Sequence, residues 1–240
     1  MKIIERLKKL IPEPIKIILR PIRNKFVNKY NWEMSFWKSR LEIDNGIFKN
    51  SHYERLMLAM VGEPNDGFLK GKVVADFGCG PRGSLVWAKS AFLRIGIDVL
   101  ADRYADEFTK SIISHKMLYL KSTEKVIPLP SDFVDVIFTL NAMDHVDSFS
   151  CMCNEIIRIL KPGGDFIGSF NLEESATPCE PQRLNEKMIK VCFLNNMEIH
   201  SYRITKRGSN ENPYAPFFEG NLCYEEGKKG FLWVRARKIR

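Results

Sequence analysis

From Lys72 to the C-terminus, short apolar runs alternate with stretches of helical spacing, and this alternation restricts the fold more than any other feature of the chain. The apolar runs fall at 73–77, 94–98, 117–120, 133–140, 165–170, 197–204 and 230–236, and helical spacing at 84–92, 99–109, 147–160 and 183–195. Strands alternating with helices predict a mostly parallel sheet covered by helices on both faces. Between the last two runs only the loop-like stretch 206–219 appears, so they are expected to close the sheet as an antiparallel pair. The fold class is therefore α/β, a doubly wound, mostly parallel seven-stranded sheet with an antiparallel C-terminal strand.

A chain of 240 residues can bury one such core and a modest terminal element. Residues 1–49 read as a basic, amphipathic, helical N-terminal extension, and 50–240 as the domain. Apolar residues Ile3, Ile4, Leu7, Leu10 and Ile11, then Ile15, Ile18, Leu19, Ile22 and Phe26, keep helical spacing, broken at Pro12 and Pro14. Such helices can dock on the domain or a partner, or lie on an anionic membrane. Tyr30, Trp32, Phe36 and Trp37 follow, as a cover over one end of the core or a lid on a pocket, and then a helix from Ser51 to about Val61.

No apolar run approaches the roughly 20 residues of a membrane span, and the N-terminus lacks the pattern of a secretory signal. Six cysteines in such a chain are expected to be reduced thiols. The expected location is cytoplasmic, with peripheral contact at the inner membrane face as one use of residues 1–30. Of the net charge of +8, seven arise within residues 1–30, from nine basic residues against Glu5 and Glu13. The domain itself is nearly neutral, which argues against a face that tracks nucleic acid.

The stretch VVADFGCGPRGS sets the strand residues Val73 and Val74 before Gly78, Gly80 and Gly83. Residues without a Cβ let the backbone turn tightly beside a ligand, and a following helix would offer free N–H groups. Asp98 ends the next strand, where a carboxylate can accept from ribose hydroxyls. These residues alone suit a dinucleotide as well as a nucleoside. Asp76 separates the two readings, because its carboxylate repels a pyrophosphate and attracts an α-ammonium. A helical cap before the acidic strand points the same way.

Here the chain resembles the class I S-adenosylmethionine-dependent methyltransferases, from about Lys72 to about Asn171. VVADFGCGPRGS is similar to the family's glycine-rich first motif and RIGID to its second; VIPLPSDFVDVIFTLNAMDHVDS resembles the fourth-strand region and LKPGGDFIGSF the turn into the fifth. The resemblance implies a Rossmann-like fold and S-adenosylmethionine as cofactor. It also implies that Asp76, Gly78, Cys79 and Gly80 lie at the methionine part, Asp98 at the ribose, Thr123 and Glu124 near the adenine, and Asn141 in the methyl-donor pocket. Lys121 and Ser122 depart from it, standing where many relatives have a glycine and an acid.

Asp144 and His145 follow the fourth strand, at the sheet edge where ligands of open α/β folds bind. Imidazole there can take a proton from an acceptor, making the pair the catalytic candidates. Asp144 or Asp147 can equally cap the helix starting near Ser148, with His145 packed beside it. Cys151 and Cys153 lie inside a helical pattern without a second pair at zinc spacing, so no metal site is expected. Thr177, Pro178, Glu180 and Pro181, after the fifth strand, should overhang the pocket.

The expected activity is methyl transfer to an oxygen or nitrogen of a small-molecule, sugar or glycan acceptor. The alternatives are an RNA methyltransferase using the basic N-terminus and a non-catalytic cofactor-binding protein.

Overall fold

The seven apolar runs become the seven strands of one sheet. In the computed structural model, which describes residues 28–209, 214–220 and 223–239, these are β1 (Val73–Phe77), β2 (Leu93–Asp98), β3 (Leu118–Lys121), β4 (Val134–Leu140), β5 (Leu160–Leu172), β6 (Met197–Lys206) and β7 (Gly230–Lys238). Their order is β3-β2-β1-β4-β5-β7-β6, and β7 alone runs against the others. All five residues of β1 are buried, as expected of a central parallel strand covered on both faces. The chain proceeds outward from β1 to β2 and β3, then crosses to β4 on the other side. The crevice at the carboxyl ends of β1 and β4 is therefore the switch point of the fold. The expected basic helices before Asn28 lie outside the described residues, and among those described no helix is long and apolar enough to cross a membrane.

Helices α1 (Lys29–Ile43) and α2 (Ser51–Val61) precede the sheet, and α1 is capped by Asn28, whose side chain accepts from the Tyr30 amide. Met34 of α1 and the nearby Phe48 are buried with Leu100, Tyr104 and Phe108, so the cap has its own small core against the region after β2. Helix α5 (Phe149–Ile159) buries Phe149, Met152, Cys153, Ile156 and Ile159, one stripe at three- and four-residue spacing. Burying Phe149, Met152 and Ile156 contributes roughly 1.5–3 kcal/mol each. Ser148 caps α5, so neither aspartate offered for that role fills it, and Asp147 pairs instead with Lys29 at 2.6 Å.

Three expectations of local structure are corrected. The stretch 99–109 is not one helix but the start of two short ones, α3 (Ala101–Glu107) and α4 (Thr109–Ser114), which break where Phe108 leaves helical backbone to bury its ring. A short helix, α7 (Ala215–Phe218), follows the expected helix α6 (Glu186–Cys192), inside the stretch read as loop. The helix expected at 84–92 is a series of turns. Leu85 and Ala88 are buried as the apolar spacing requires, but Arg94 from β2 donates to the carbonyls of Leu85 and Val86, and the Ser90 amide donates to Asp66. These partners take backbone groups that an α-helix would have paired with itself. The glycine turn therefore has no helix N-terminus behind it.

At the far edge, Asp165 of β5 is 5% exposed and accepts from Arg235 at 3.1 Å and Arg237 at 2.8 Å on β7. Burial pushes its carboxyl up, but the two guanidinium groups outweigh that and hold it below the usual range. Asp165→Ala should cost roughly 2 kcal/mol at neutral pH, below the usual toll for breaking a fully buried pair because Arg237 is partly exposed. A carboxyl lowered in the folded state stabilises above its unfolded pKa and loses that contribution as pH falls through the folded value. The melting-temperature gap between wild type and variant should thus narrow below about pH 4; a constant gap would refute the assignment.

Candidate functional site

The turn after β1 is built so that only glycine fits at two of its positions. Gly78 has φ +71°, and a Cβ there would stand 2.1 Å from the Cβ of Ala142, so the turn leans directly on the loop after β4. Gly80 has φ +56°, and its Cβ would stand 2.6 Å from the Trp37 ring, which α1 brings down over the turn. Both backbones occupy the left-handed region that side chains disfavour.

Asp98, at the tip of β2, accepts from the Gly80 amide at 3.1 Å and the Leu100 amide at 2.9 Å. It ties the glycine turn to the second strand while its carboxylate faces a cavity of about 670 Å³, within the usual range for small-molecule sites. Burial raises its pKa to about 6 and the Glu33 charge adds to this, while the two amides and His145 act in the opposite direction.

The other predicted residues separate into two groups. Gly78, Cys79, Thr123, Glu124, Asn141 and His145 line the cavity with Asp98; Asp76, Gly80 and Asp144 do not. Asp76 is 3% exposed, accepts from Ser84 through one oxygen, and has no hydrogen-bond partner on the other. Burial raises its pKa to about 7. Gly80 lies beneath Trp37. Thr123 uses its hydroxyl to hold its own turn, accepting from the Val126 amide at 2.9 Å.

Glu124 accepts from the Tyr30 hydroxyl at 2.8 Å and the Asp147 amide at 3.0 Å, and pairs with Lys29 at 2.6 Å, so it anchors the start of α1. Asn141, at φ +50°, donates to the Tyr214 hydroxyl and accepts from Ser169, both at 2.9 Å. Of the two departures from the family pattern, Ser122 lines the cavity and Lys121 pairs with Asp102.

His145 is half-buried on the cavity wall. Asp144 is 2% exposed, behind it, and accepts from the Asn171 amide group at 2.6 Å. Burial pushes the Asp144 carboxyl up, and His145 pulls it back in part. The two side chains are 3.9 Å apart, beyond hydrogen-bond reach. Tyr30, Trp32, Phe36 and Trp37 all line the cavity, so the aromatic stretch forms part of its roof, and Glu180 reaches it from the loop after β5. Glu33, Tyr53, Arg82 and Tyr214 also line the cavity, from positions outside the predicted set. Arg82 lay in plain view inside the glycine loop; it pairs with Asp44 at 2.6 Å and its buried Nε has no partner.

A family model described as a methyltransferase domain matches residues 75–168, from the middle of β1 into β5. These residues carry a methyltransferase domain similar to those of the class I S-adenosylmethionine-dependent enzymes. A sterol 24-C-methyltransferase of Pneumocystis carinii is 29% identical over 146 residues, 57% of this chain and 36% of that protein. A malonyl-[acyl-carrier protein] O-methyltransferase of Enterobacter lignolyticus is 30% identical over 92 residues, 38% of this chain and 36% of that one. The chain thus spans little more than a third of the length of these relatives.

An S-adenosylmethionine-dependent methyltransferase of Aquifex aeolicus superposes with a TM-score of 0.55 at 19% identity, covering 89% of this chain and all of that one. A chain from the complex of the Trm112 methyltransferase activator with a methyltransferase of Haloferax volcanii gives 0.59 at 17%, covering 89% and 98%. At such identities these likenesses bear on the fold, which is the Rossmann-like one expected.

The cofactor of this class is S-adenosylmethionine, and the residues present fit it. Two buried polar atoms lack hydrogen-bond partners at the glycine turn, Oδ1 of Asp76 behind the cavity wall and Nε of Arg82 on it. The amino-acid end of the cofactor carries one ammonium and one carboxylate.

Proposed function

We propose that this chain binds S-adenosylmethionine in the cavity at the carboxyl edge of β1, β2 and β4 and methylates an oxygen or nitrogen of a small-molecule, sugar or glycan acceptor. The observation that carries the reading is Asp98: a buried carboxylate held by two backbone amides at a strand tip, with its face open to the cavity. Such a group is suited to accept from a vicinal diol. Arg82, on the cavity wall, would receive the carboxylate of the amino-acid end, Asp76 behind that wall would attract its ammonium through water, and Ser122 and Thr123 would flank the base.

When bound, S-adenosylmethionine supplies a methyl group already activated on a sulfonium. The chain's own contribution is then chiefly positioning and exclusion of water. Helix α1 does both, since Lys29 fastens it to the loop after β4 and its aromatic side chains roof the cavity. The acceptor end is edged by Glu33, His145 and Glu180. Polar and charged groups there favour a polar acceptor atom over the carbon acceptor of the sterol relatives, and an acceptor proton would be lost at this end. With seven of the eight net charges confined to residues 1–30, the cavity reading is also favoured over RNA.

Calorimetry with S-adenosylmethionine tests the reading. Asp98 accepts best when ionised, and its pKa is raised to about 6. Asp76, raised to about 7, titrates in the same range. Affinity should therefore fall more than about tenfold between pH 7 and pH 5, and Asp98→Ala should lose the part of that dependence centred near pH 6 while keeping the part centred near pH 7. Affinity independent of pH in the wild type, or no binding at all, would remove Asp98 or the whole reading respectively.

A further inference from the structure

At the acceptor end of the cavity, three titratable side chains are spaced in a way that direct contact does not explain. Nε2 of His145 is 3.9 Å from Oδ1 of Asp144 and 3.8 Å from Oε1 of Glu180, and the three atoms lie within 4.8 Å of one another. Hydrogen bonds would bring them to about 3 Å. Ligand atoms held around one cation by bonds of about 2.0–2.3 Å are instead separated by roughly 3–4.5 Å.

A second observation points to the same place. Oδ1 of Asp144, on a residue 2% exposed, has no hydrogen-bond partner and faces His145, while its Oδ2 is held by Asn171. A buried carboxylate oxygen without a donor is costly, and a cation would satisfy it. The Asn171 contact is the kind of outer support that orients a ligating carboxylate. Glu180 is also fixed in place. Its amide donates to the Thr177 hydroxyl at 3.0 Å, the Thr177 amide donates to its carbonyl at 2.9 Å, and the Gln182 amide donates to the Asp144 carbonyl at 3.1 Å. The nearby ammonium of Lys29 is already engaged by Glu124, Asp147 and the His145 carbonyl.

We propose that Asp144, His145 and Glu180 bind one divalent cation of the Mn²⁺ or Zn²⁺ class at the acceptor end of the cavity. One imidazole nitrogen with two carboxylates is a donor set that suits such ions. His145 and Glu180 line the cavity, so the remaining coordination positions face it and can take an oxygen of the acceptor. That last role rests on the methyltransferase reading above; the binding of the ion does not. His145 then serves as a ligand, and the acceptor hydroxyl is made more acidic by the cation beside it.

The full chain, stripped with a chelator, is dialysed to equilibrium against MnCl₂ or ZnCl₂, and its visible spectrum is recorded with Co²⁺. One equivalent should bind, with cobalt bands shifted from those of the aqueous ion, and Glu180→Gln and Asp144→Asn should each weaken binding at least about tenfold. Because Glu180 is partly exposed, its variant should fold, and a melting curve checks this. No stoichiometric binding, or equal affinity in wild type and a folded Glu180→Gln, overturns the site. Protein that binds S-adenosylmethionine but no metal loses this inference alone, whereas protein that binds metal but not S-adenosylmethionine keeps the site and loses the methyl-transfer reading.

Discussion

Asp98→Ala is expected to weaken S-adenosylmethionine binding by 100-fold or more, a factor that corresponds to about 2.7 kcal/mol. Hydrogen bonds to a charged group contribute roughly 1.5–3 kcal/mol each, and the carboxylate is placed to accept more than one from a diol. The variant also releases the Gly80 and Leu100 amides, so the glycine turn loses its tether to β2. Asp98→Asn keeps an acceptor oxygen and the side-chain shape but puts a donor where one of those amides points. Its loss should fall between wild type and alanine. Calorimetry gives the affinities and a melting curve shows whether the fold survives; an unchanged dissociation constant in a folded Asp98→Ala would contradict the ribose assignment.

Gly78→Val should be the most disruptive single change in the donor half of the site. A branched side chain in a left-handed backbone costs about 1–3 kcal/mol, and overpacking costs a similar amount. The sum is comparable with a sizeable part of the stability of a typical domain, roughly 5–15 kcal/mol. Donor binding should be lost together with several degrees of melting temperature.

The clash has a named partner, which allows a sharper test. Gly78→Ala places its Cβ 2.1 Å from that of Ala142. Adding Ala142→Gly should restore much of the stability lost in Gly78→Ala, leaving only the backbone penalty. If the double variant is no more stable than the single one, the two loops do not meet as described.

The strands were legible because each central one is a short, mostly apolar run, and Asp98 and Gly78 could be placed at the sheet's carboxyl edge because they stand where those runs end. The helical spacing at 84–92 does not produce a helix, for a physical reason. Leu85 and Ala88 carry helical spacing, but Arg94, nine residues beyond Leu85, binds the carbonyls that a helix would need. Periodicity reports which side chains are buried, not which backbone groups find other partners. Glu124 lines the cavity, yet it holds Lys29 and Tyr30, a role visible only once α1 is folded over the sheet. Tyr214 and Glu33 reach the cavity from stretches with no motif at all. The grouping of Asp144 and His145 with Glu180 joins positions 35 or more residues apart through a loop that one backbone hydrogen bond, from Gln182, ties to Asp144.

The roof over the glycine turn follows the same logic. Trp37 can reach Gly80 only because that residue has no side chain, and Arg82 lies over the same ring, 6.0 Å from its centroid. The donor half of the site is thus shared between the motif and the helical extension before it.

A crystal structure with S-adenosylhomocysteine is decisive for the role of Asp98. The nucleoside should lie across the carboxyl edge of β1 and β2, with both ribose hydroxyls within hydrogen-bond distance of the Asp98 carboxylate. A nucleoside bound away from the cavity, or Asp98 left holding only Gly80 and Leu100, would contradict it.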